Sequence, residues 1–350
     1  MKKLISLFLL FAMALSFSSC EAKTRSRTVS NLYFNTTSVI STYADKSDKN
    51  IEKYVKIADE LLSYYHKLFD IYHDYSGMNN IKTVNDNAGK SPVKVDRELI
   101  VFLSFCKGLY GLTHGKTNIM LGSVLKLWHD ARERAEDNFG FIPESELPTA
   151  DELTEAKKHT SIDLLVIDEE ASTVYITDPL ASIDVGAIAK GYTVDRLYEK
   201  LKAEGADSVA INIGGNVRTV GLKPDGEKWV SGITNPNPNS DEALISRVRI
   251  GETSIVTSGD YERYFFSVDK KYHHIIDPDT LYPADYFTSV SIICDNSALA
   301  DALSTALFCM SYDDGKHLLE SIESPSVEVI WIDKEYNIKA TDGTELLPMD

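Results

Sequence analysis

Along residues 49 to 134 apolar side chains return every three or four positions, while beyond Ser161 they alternate in short runs cut by turn residues. The first pattern predicts helices. Ser47-Asp48 caps a long one over 49–72, whose inner side is Ile51, Val55, Ala58, Leu61, Leu62, Tyr65, Leu68 and Phe69. Loops at 75–80 and 85–89 and a short extended piece at 92–95 lead to a second helix over 96–113, stopped by His114-Gly115. A third spans 118–134 with Leu121, Val124, Leu125 and Trp128 inward, and a short polar helix capped near Thr149 lies within 144–158. The second pattern predicts strands, with turns at Asp178-Pro179, Gly214-Gly215, Pro224-Asp225-Gly226, Asp269-Lys270-Lys271 and Asp277-Pro278. A further strand is expected over 28–42. No repeat, low-complexity tract or linker interrupts 28–350, so the expectation is one α+β body: a helix-rich N-terminal half and a mixed or antiparallel, sheet-rich C-terminal half.

The first thirty residues follow neither pattern. Lys2 and Lys3, an apolar stretch over 4–17 and the small residues Ser18-Ser19 before Cys20 form a signal peptide over 1–19, too short to span a bilayer. Ending on a cysteine, it has the form of a lipoprotein signal, with Cys20 expected as the lipidated first residue of the mature chain; plain secretion after cleavage at or near Ser19 is the alternative. A polar tether over 21–30 and a domain over 31–350 follow. The formal net charge of −17 repels nucleic acid and anionic lipid, so membrane attachment is expected through the lipid and not through a basic patch. Cys106, Cys294 and Cys309 sit in apolar surroundings without metal-ligand spacing and are expected as core thiols.

Four stretches carry more polar and glycine residues than packing needs. Residues 184–195 lie between a β-branched run at 172–177 and a helical pattern of Ile188, Gly191, Val194, Leu197, Tyr198 and Leu201, so they form a strand, a glycine-bearing loop and a helix start. Free N–H groups and the helix dipole favour an anion there, and Lys190 in the first turn makes sense if one is bound; an ordinary surface lysine is the alternative. The paired glycines of 210–216 call for a sharp bend, either a hairpin or a close approach to a ligand. In 272–278 an alternating strand turns His273 and His274 to opposite faces, so at most one of them is expected to face a site, and Asp277-Pro278 starts a turn. On a helix containing 300–308, Asp301 and Thr305 share one face among Ala, Leu and Phe, with Ser297 expected as the cap. A carboxylate in that company needs a partner, and a hard divalent cation would suit the pair.

In their order along the chain these stretches resemble the ApbE family, the FAD:protein FMN transferases, from about Thr28 almost to the C-terminus. The string Asp184 to Tyr192 and the helix motif Ala300 to Leu307 are specific to that family in combination. The resemblance implies an exported, Mg²⁺-dependent enzyme that cleaves FAD and leaves FMN in phosphoester linkage on a threonine or serine of an acceptor flavoprotein, releasing AMP. It implies a metal site on the backbone oxygen of Ala187 and the side chains of Asp301 and Thr305, with Ser304 adjacent. FAD contacts fall on Asp184, Lys190, Ile275, Thr117, Asn118 and Phe34, and His274 or Asp301 is the candidate base. The acceptor would carry a Ser/Thr-Gly-Ala-Ser/Thr-like segment outside the cytoplasmic membrane, where a lipid anchor holds the enzyme. A hydrolase releasing FMN and AMP, or a non-catalytic FAD-binding lipoprotein, are the competing readings. Three local departures stand out: Gly115-Lys-Thr-Asn118 for Gly-Ala-Phe-Asp, Phe34-Asn35-Thr36 for Met-Gly-Thr, and Thr280-Leu-Tyr-Pro283 for Thr-Gly-Tyr-Pro, the last expected to relax a tight turn.

Overall fold

The computed structural model describes residues 24–44, 50–322 and 326–349. The segment expected as a signal peptide, Cys20 and the expected Ser47-Asp48 cap lie outside them. The chain opens on β1 (Thr24–Tyr33) and β2 (Thr36–Ala44), an antiparallel hairpin where one strand was expected. The turn is Phe34-Asn35, at φ 55° and 53°. Positive φ at both central residues matches the twist of the flanking strands, but no glycine announces it in the sequence. Residues 24–30, expected in the tether, belong to β1.

Helix α1 (Asn50–Phe69) stops three residues early, because the buried Asp70 carboxylate accepts from the N–H groups of Tyr72 and His73 and turns the chain there. The short α2 (Ile81–Asp86) was not foreseen; Asn80 and Thr83 cap it reciprocally. After β3 (Val93–Lys94) come α3 (Arg97–Leu112), capped by Asp96, and α4 (Gly122–Asp137). The latter starts four residues late because Asn118 spends its side-chain oxygen on the Met120 N–H. Helix α5 (Ala150–Lys157) has the expected Thr149 cap, in a box with Glu152.

Strands β4 (Leu165–Asp168) and β5 (Thr173–Ile176) form a small antiparallel sheet with β3, and α6 (Ala189–Ala203) follows. Then come β6 (Val209–Ile213), β7 (Asn216–Val220), β8 (Trp229–Thr234), β9 (Leu244–Ile250), β10 (Ser254–Gly259), β11 (Tyr264–Ser267), β12 (Lys270–His273) and β13 (Ser289–Cys294). Helices α7 (Ser297–Phe308) and α8 (Tyr312–Glu320) precede β14 (Val327–Ile332), β15 (Ile338–Ala340) and β16 (Leu346–Leu347). The main sheet runs β1-β2-β6-β7-β10-β13-β14-β15 with antiparallel neighbours throughout. Because β2 pairs with β6, the N-terminal hairpin completes the C-terminal sheet, and the α+β body is one unit.

Helix α7 carries apolar residues on every side and is correspondingly buried, in the largest core cluster with Trp331, Phe102 and Phe308 at its centre. Cys106, Cys294 and Cys309 are buried free thiols, as expected. Gly214-Gly215 is a hairpin turn at φ 54° and 90°, and a Cβ at Gly214 would lie 2.4 Å from Thr36 Oγ1. Leu281 overturns the expected relaxation of the Thr280–Pro283 turn. It keeps a left-handed backbone at φ 68°, held by its N–H to the Asp277 carbonyl and its own carbonyl to Trp128 Nε1, both at 2.8 Å.

Candidate functional site

A cleft of about 1040 Å³ collects walls from the β1–β2 turn, the end of α1, α4, the loop before α6, the β6–β7 turn, residues 257–263, 272–276 and α7. Its floor is the crossing of α6 and α7. Gly191 N–H, in the first turn of α6, donates to Asp301 Oδ2 at 2.8 Å. One turn further on, Asp195 accepts from the N–H groups of Ser297 and Ala298 at 3.0 and 2.9 Å, at the start of α7. Each helix thus lends a carboxylate to the free N–H groups of the other. The side-chain cap proper is Asn296, which accepts from Leu299 N–H, and not Ser297; Asp301 consequently lies in the second turn. Arg218 Nη1 holds Asp195 Oδ1 at 2.8 Å and stacks 3.7 Å from the Tyr198 ring, so the buried Asp195 is itself paired.

The anion expected at the start of α6 is therefore partly supplied by the protein. Lys190 is no ordinary surface lysine: its ammonium lies 3.6 Å from Asp301 Oδ1, with a side chain only 24% exposed. Burial raises the Asp301 pKa, against Lys190, the Gly191 N–H and the Asn216 amide, which favour the carboxylate. Burial also raises that of Asp184, whose Oδ1 accepts from Gly186 N–H at 2.8 Å and which faces His129, Arg263 and Arg132.

Both histidines border the cleft, against the expectation that at most one would, but their ring nitrogens differ in what they bond. His273 is buried and fully bonded, Nε2 to the Ala284 carbonyl at 2.8 Å and Nδ1 to the Ile275 N–H at 3.2 Å. His274 is half-buried and lines the cleft, and its Nδ1 is buried without a partner among the described residues. Desolvation by the surrounding walls, then Arg263, His273, Arg132 and Lys190, push its pKa down to about 3; burial brings His273 to about 4. Both rings are neutral at pH 7. Below the ordinary value near 6.5 the unfolded chain binds protons that the folded one refuses, so these groups erode stability as pH falls from 6.5 toward 3. A His274→Gln variant is expected to lower the pH-linkage slope of unfolding in that window by close to one proton, read from urea midpoints at successive pH values. An unchanged slope would contradict the neutral imidazole.

Of the residues singled out from sequence, Phe34, Thr117, Asn118, Asp184, Ala187, Lys190, His274, Ile275, Asp301 and Thr305 all line this cleft. Ser304 does not. It is fully buried behind α7, its hydroxyl 2.8 Å from Ser258 Oγ and donating to the Asp301 carbonyl at 2.9 Å, because it lies about 100° around the helix from Thr305. Thr117 and Asn118 spend their side chains on the protein: Thr117 Oγ1 donates to the Ala302 carbonyl at 2.7 Å, and Asn118 Nδ2 to that of Thr160 at 2.9 Å. They shape the wall and hold the 115–118 loop to α7. Sequence reasoning missed Tyr72, His129, Arg132 and Arg263, which add aromatic and cationic groups. Arg132 had a signal, since it follows Trp128 by one turn on the inward face of α4; Arg263 sits in no periodic pattern.

The comparisons agree with this arrangement. The sequence pattern of the ApbE family matches residues 34–331. A curated relative from Treponema pallidum, named FAD:protein FMN transferase, is 31% identical over 93% of this chain and 90% of its own. One of the same name from Haemophilus influenzae is 28% identical over 99% of both. Among solved structures, the ApbE protein of Thermotoga maritima superposes with a TM-score of 0.77 at 27% identity, covering 91% of this chain and 97% of its own. The flavin transferase ApbE from Vibrio cholerae does so at 0.75 and 25%, with the same coverage. With four sequence motifs converging on one cleft and the family pattern spanning residues 34–331, this chain belongs to the ApbE family.

Proposed function

We propose that the protein transfers the FMN moiety of FAD to a threonine or serine hydroxyl of an acceptor flavoprotein, in a Mg²⁺-dependent reaction that forms a phosphoester and releases AMP. The observation that carries this reading is the meeting, in one cleft, of the Asp301 carboxylate and the Lys190 ammonium with the unpartnered Nδ1 of His274. The names of the curated relatives support it.

The oxygens present fit a hard cation. Among the described residues no three His, Cys, Asp or Glu side chains form a metal-ligand cluster, but Asp301 and Thr305 present oxygens from one helical face, and Ala187 lines the same cleft. One carboxylate with neutral oxygens is a set that Mg²⁺ accepts when phosphate and water complete its octahedron. Bound there, the ion would neutralise charge on the pyrophosphate. The protein's own groups do the positioning. Lys190 and the α6 N-terminus face the pyrophosphate, and Arg132 and Arg263 add positive potential. The acceptor oxygen attacks the FMN-side phosphorus in line as the bond to the AMP oxygen breaks, so orientation in the cleft supplies much of the rate. His274 takes the hydroxyl proton on Nδ1. Burial is the larger cause of the neutral ring, but phosphate bound among the cations offsets the part that Arg263, Arg132 and Lys190 contribute, which makes the proton easier to accept.

The same proposal puts the enzyme on the extracytoplasmic face of the membrane, held by lipid on Cys20; the sequence of residues 1–20 supports this. Among the described residues no helix is long and apolar enough to cross a membrane. The test is to incubate the full-length protein with FAD, Mg²⁺ and an acceptor domain carrying a Ser/Thr-Gly-Ala-Ser/Thr segment. In-gel flavin fluorescence on the acceptor, with one AMP per label, is the expected result. An unlabelled acceptor beside free FMN and AMP would replace the transferase with a hydrolase.

A further inference from the structure

The β11–β12 hairpin borders the cleft with one edge open. Tyr264 stands opposite His273, and Phe266 opposite Lys271. The His274 N–H donates to the Arg263 carbonyl at 3.0 Å, which makes Arg263 and His274 a hydrogen-bonded pair. Antiparallel alternation then turns the N–H and C=O groups of Tyr264 and Phe266 away from β12. At Phe266 both are taken: its N–H donates to the Gly140 carbonyl at 2.8 Å, and its carbonyl accepts from Ile142 N–H at 3.0 Å, around the parallel bridge of Phe141 to Phe266. At Tyr264, one repeat nearer the cleft, neither group has a partner among the described residues. Such a position is a template for another strand.

The side chains around this edge are apolar and exposed. Phe139 is fully exposed, and Phe141, Tyr264, Phe266 and Val268 are each at least 41% exposed. Phe139 also holds a left-handed backbone, at φ 56°, just after the α4 cap Asn138, where glycine is the usual occupant. Exposed and mostly aromatic side chains gathered on two neighbouring segments, on a chain of net charge −17, are poor solvated surface. None of these five side chains lines the cleft, yet Arg263 and His274, which do, are the chain neighbours of Tyr264 and His273.

We propose that this edge is where the acceptor protein docks. An extended segment of the acceptor adds as a strand at Tyr264, in line with residues 140–142, lays apolar side chains against Phe139 and Phe266, and runs past Arg263 so that its hydroxyl enters the cleft beside His274. Main-chain pairing gives affinity without reading much sequence, and the aromatic patch favours apolar residues flanking the labelled one. This inference rests on the transferase reading above.

The test uses the full-length protein with FAD, Mg²⁺ and the acceptor domain described above. Phe139→Ser with Phe266→Ser, and separately Tyr264→Pro, are expected to raise the acceptor KM at least tenfold. The kcat at saturating acceptor and the acceptor-free cleavage of FAD should stay within twofold. A photo-crosslinking residue at position 139 should capture the acceptor, while one at Val166, also exposed but on β4, should not; this readout does not depend on the serine and proline variants folding. Unchanged acceptor KM in folded variants, or equal capture at both positions, overturns the docking edge and leaves the transferase standing. A wild-type chain that cleaves FAD but labels no acceptor overturns both.

Discussion

Asp301→Asn is expected to lower FMN transfer by about a thousandfold while the protein folds as stably as before. The loss follows from charge. Asparagine keeps an oxygen for the Gly191 N–H, now 2.8 Å from Asp301 Oδ2, but removes the negative charge from the group that faces Lys190 and the proposed cation. Losing one preorganised electrostatic contact in a shielded site costs about 10²- to 10³-fold, and this carboxylate is the only charged oxygen in its donor set. The stability side has the opposite sign. Burial holds the Asp301 pKa above its unfolded value, so at neutral pH the ionised carboxylate is less favourable in the folded state than in the unfolded one. That penalty fades as pH falls through the folded pKa. The neutral amide never incurs it, and Tm should be unchanged or higher. Activity and stability are thus expected to move apart, as they do where a fold tolerates a strained group for the sake of its chemistry. Transfer at the wild-type rate in low Mg²⁺ would remove Asp301 from the metal set; a large fall in Tm would make it a structural residue instead.

What could be read from the sequence divides along physical lines. Helices α1, α3 and α6 were visible because a 3.6-residue apolar repeat reports local physics, and α3 and α5 because Asp96 and Thr149 cap them. The paired glycines at 214–215 likewise marked a hairpin, whose φ values of 54° and 90° need them. The Phe34-Asn35 turn was hidden because tertiary contacts hold two non-glycine residues at positive φ, and Leu281 was misread for the same reason. At the site, the motif residues could be named one by one, but their relation could not. That Asp195 and Asp301 exchange caps across α6 and α7 is a property of two segments about a hundred residues apart. Ser304 was misplaced because a motif gives neighbours in sequence, whereas a helix turns each neighbour to a different side. Arg263 and the open edge at Tyr264 depend on strand pairing that no local pattern encodes.

That helix exchange also sets the second large effect, at Gly191. Elsewhere, replacing an exposed helical glycine by alanine gains about 0.5–1 kcal/mol, since glycine loses more backbone freedom on folding. Gly108 and Gly111 in α3 meet this condition, with nothing within 4 Å of a new Cβ, and Gly111→Ala should stabilise by about that amount. At Gly191 a Cβ would lie 2.3 Å from the Ser297 carbonyl oxygen and 2.7 Å from Asp301 Cβ. The first of these is backbone in a buried helix turn and cannot swing aside, so α6 and α7 must separate. Overpacking of this kind costs about 1–3 kcal/mol. Separation also stretches the hydrogen bonds from Gly191 N–H to Asp301 and from Ser297 and Ala298 to Asp195, charged contacts worth about 1.5–3 kcal/mol each. The helix-propensity gain is too small to offset this, so Gly191→Ala should destabilise by about 2–4 kcal/mol, measured from denaturant midpoints beside Gly111→Ala. Transfer should fall with it even where the variant stays folded, because Asp301 and Lys190 are carried on the two helices that move. A Gly191→Ala protein with wild-type stability and wild-type transfer would show that the crossing is looser than these distances and that the site does not depend on its closeness.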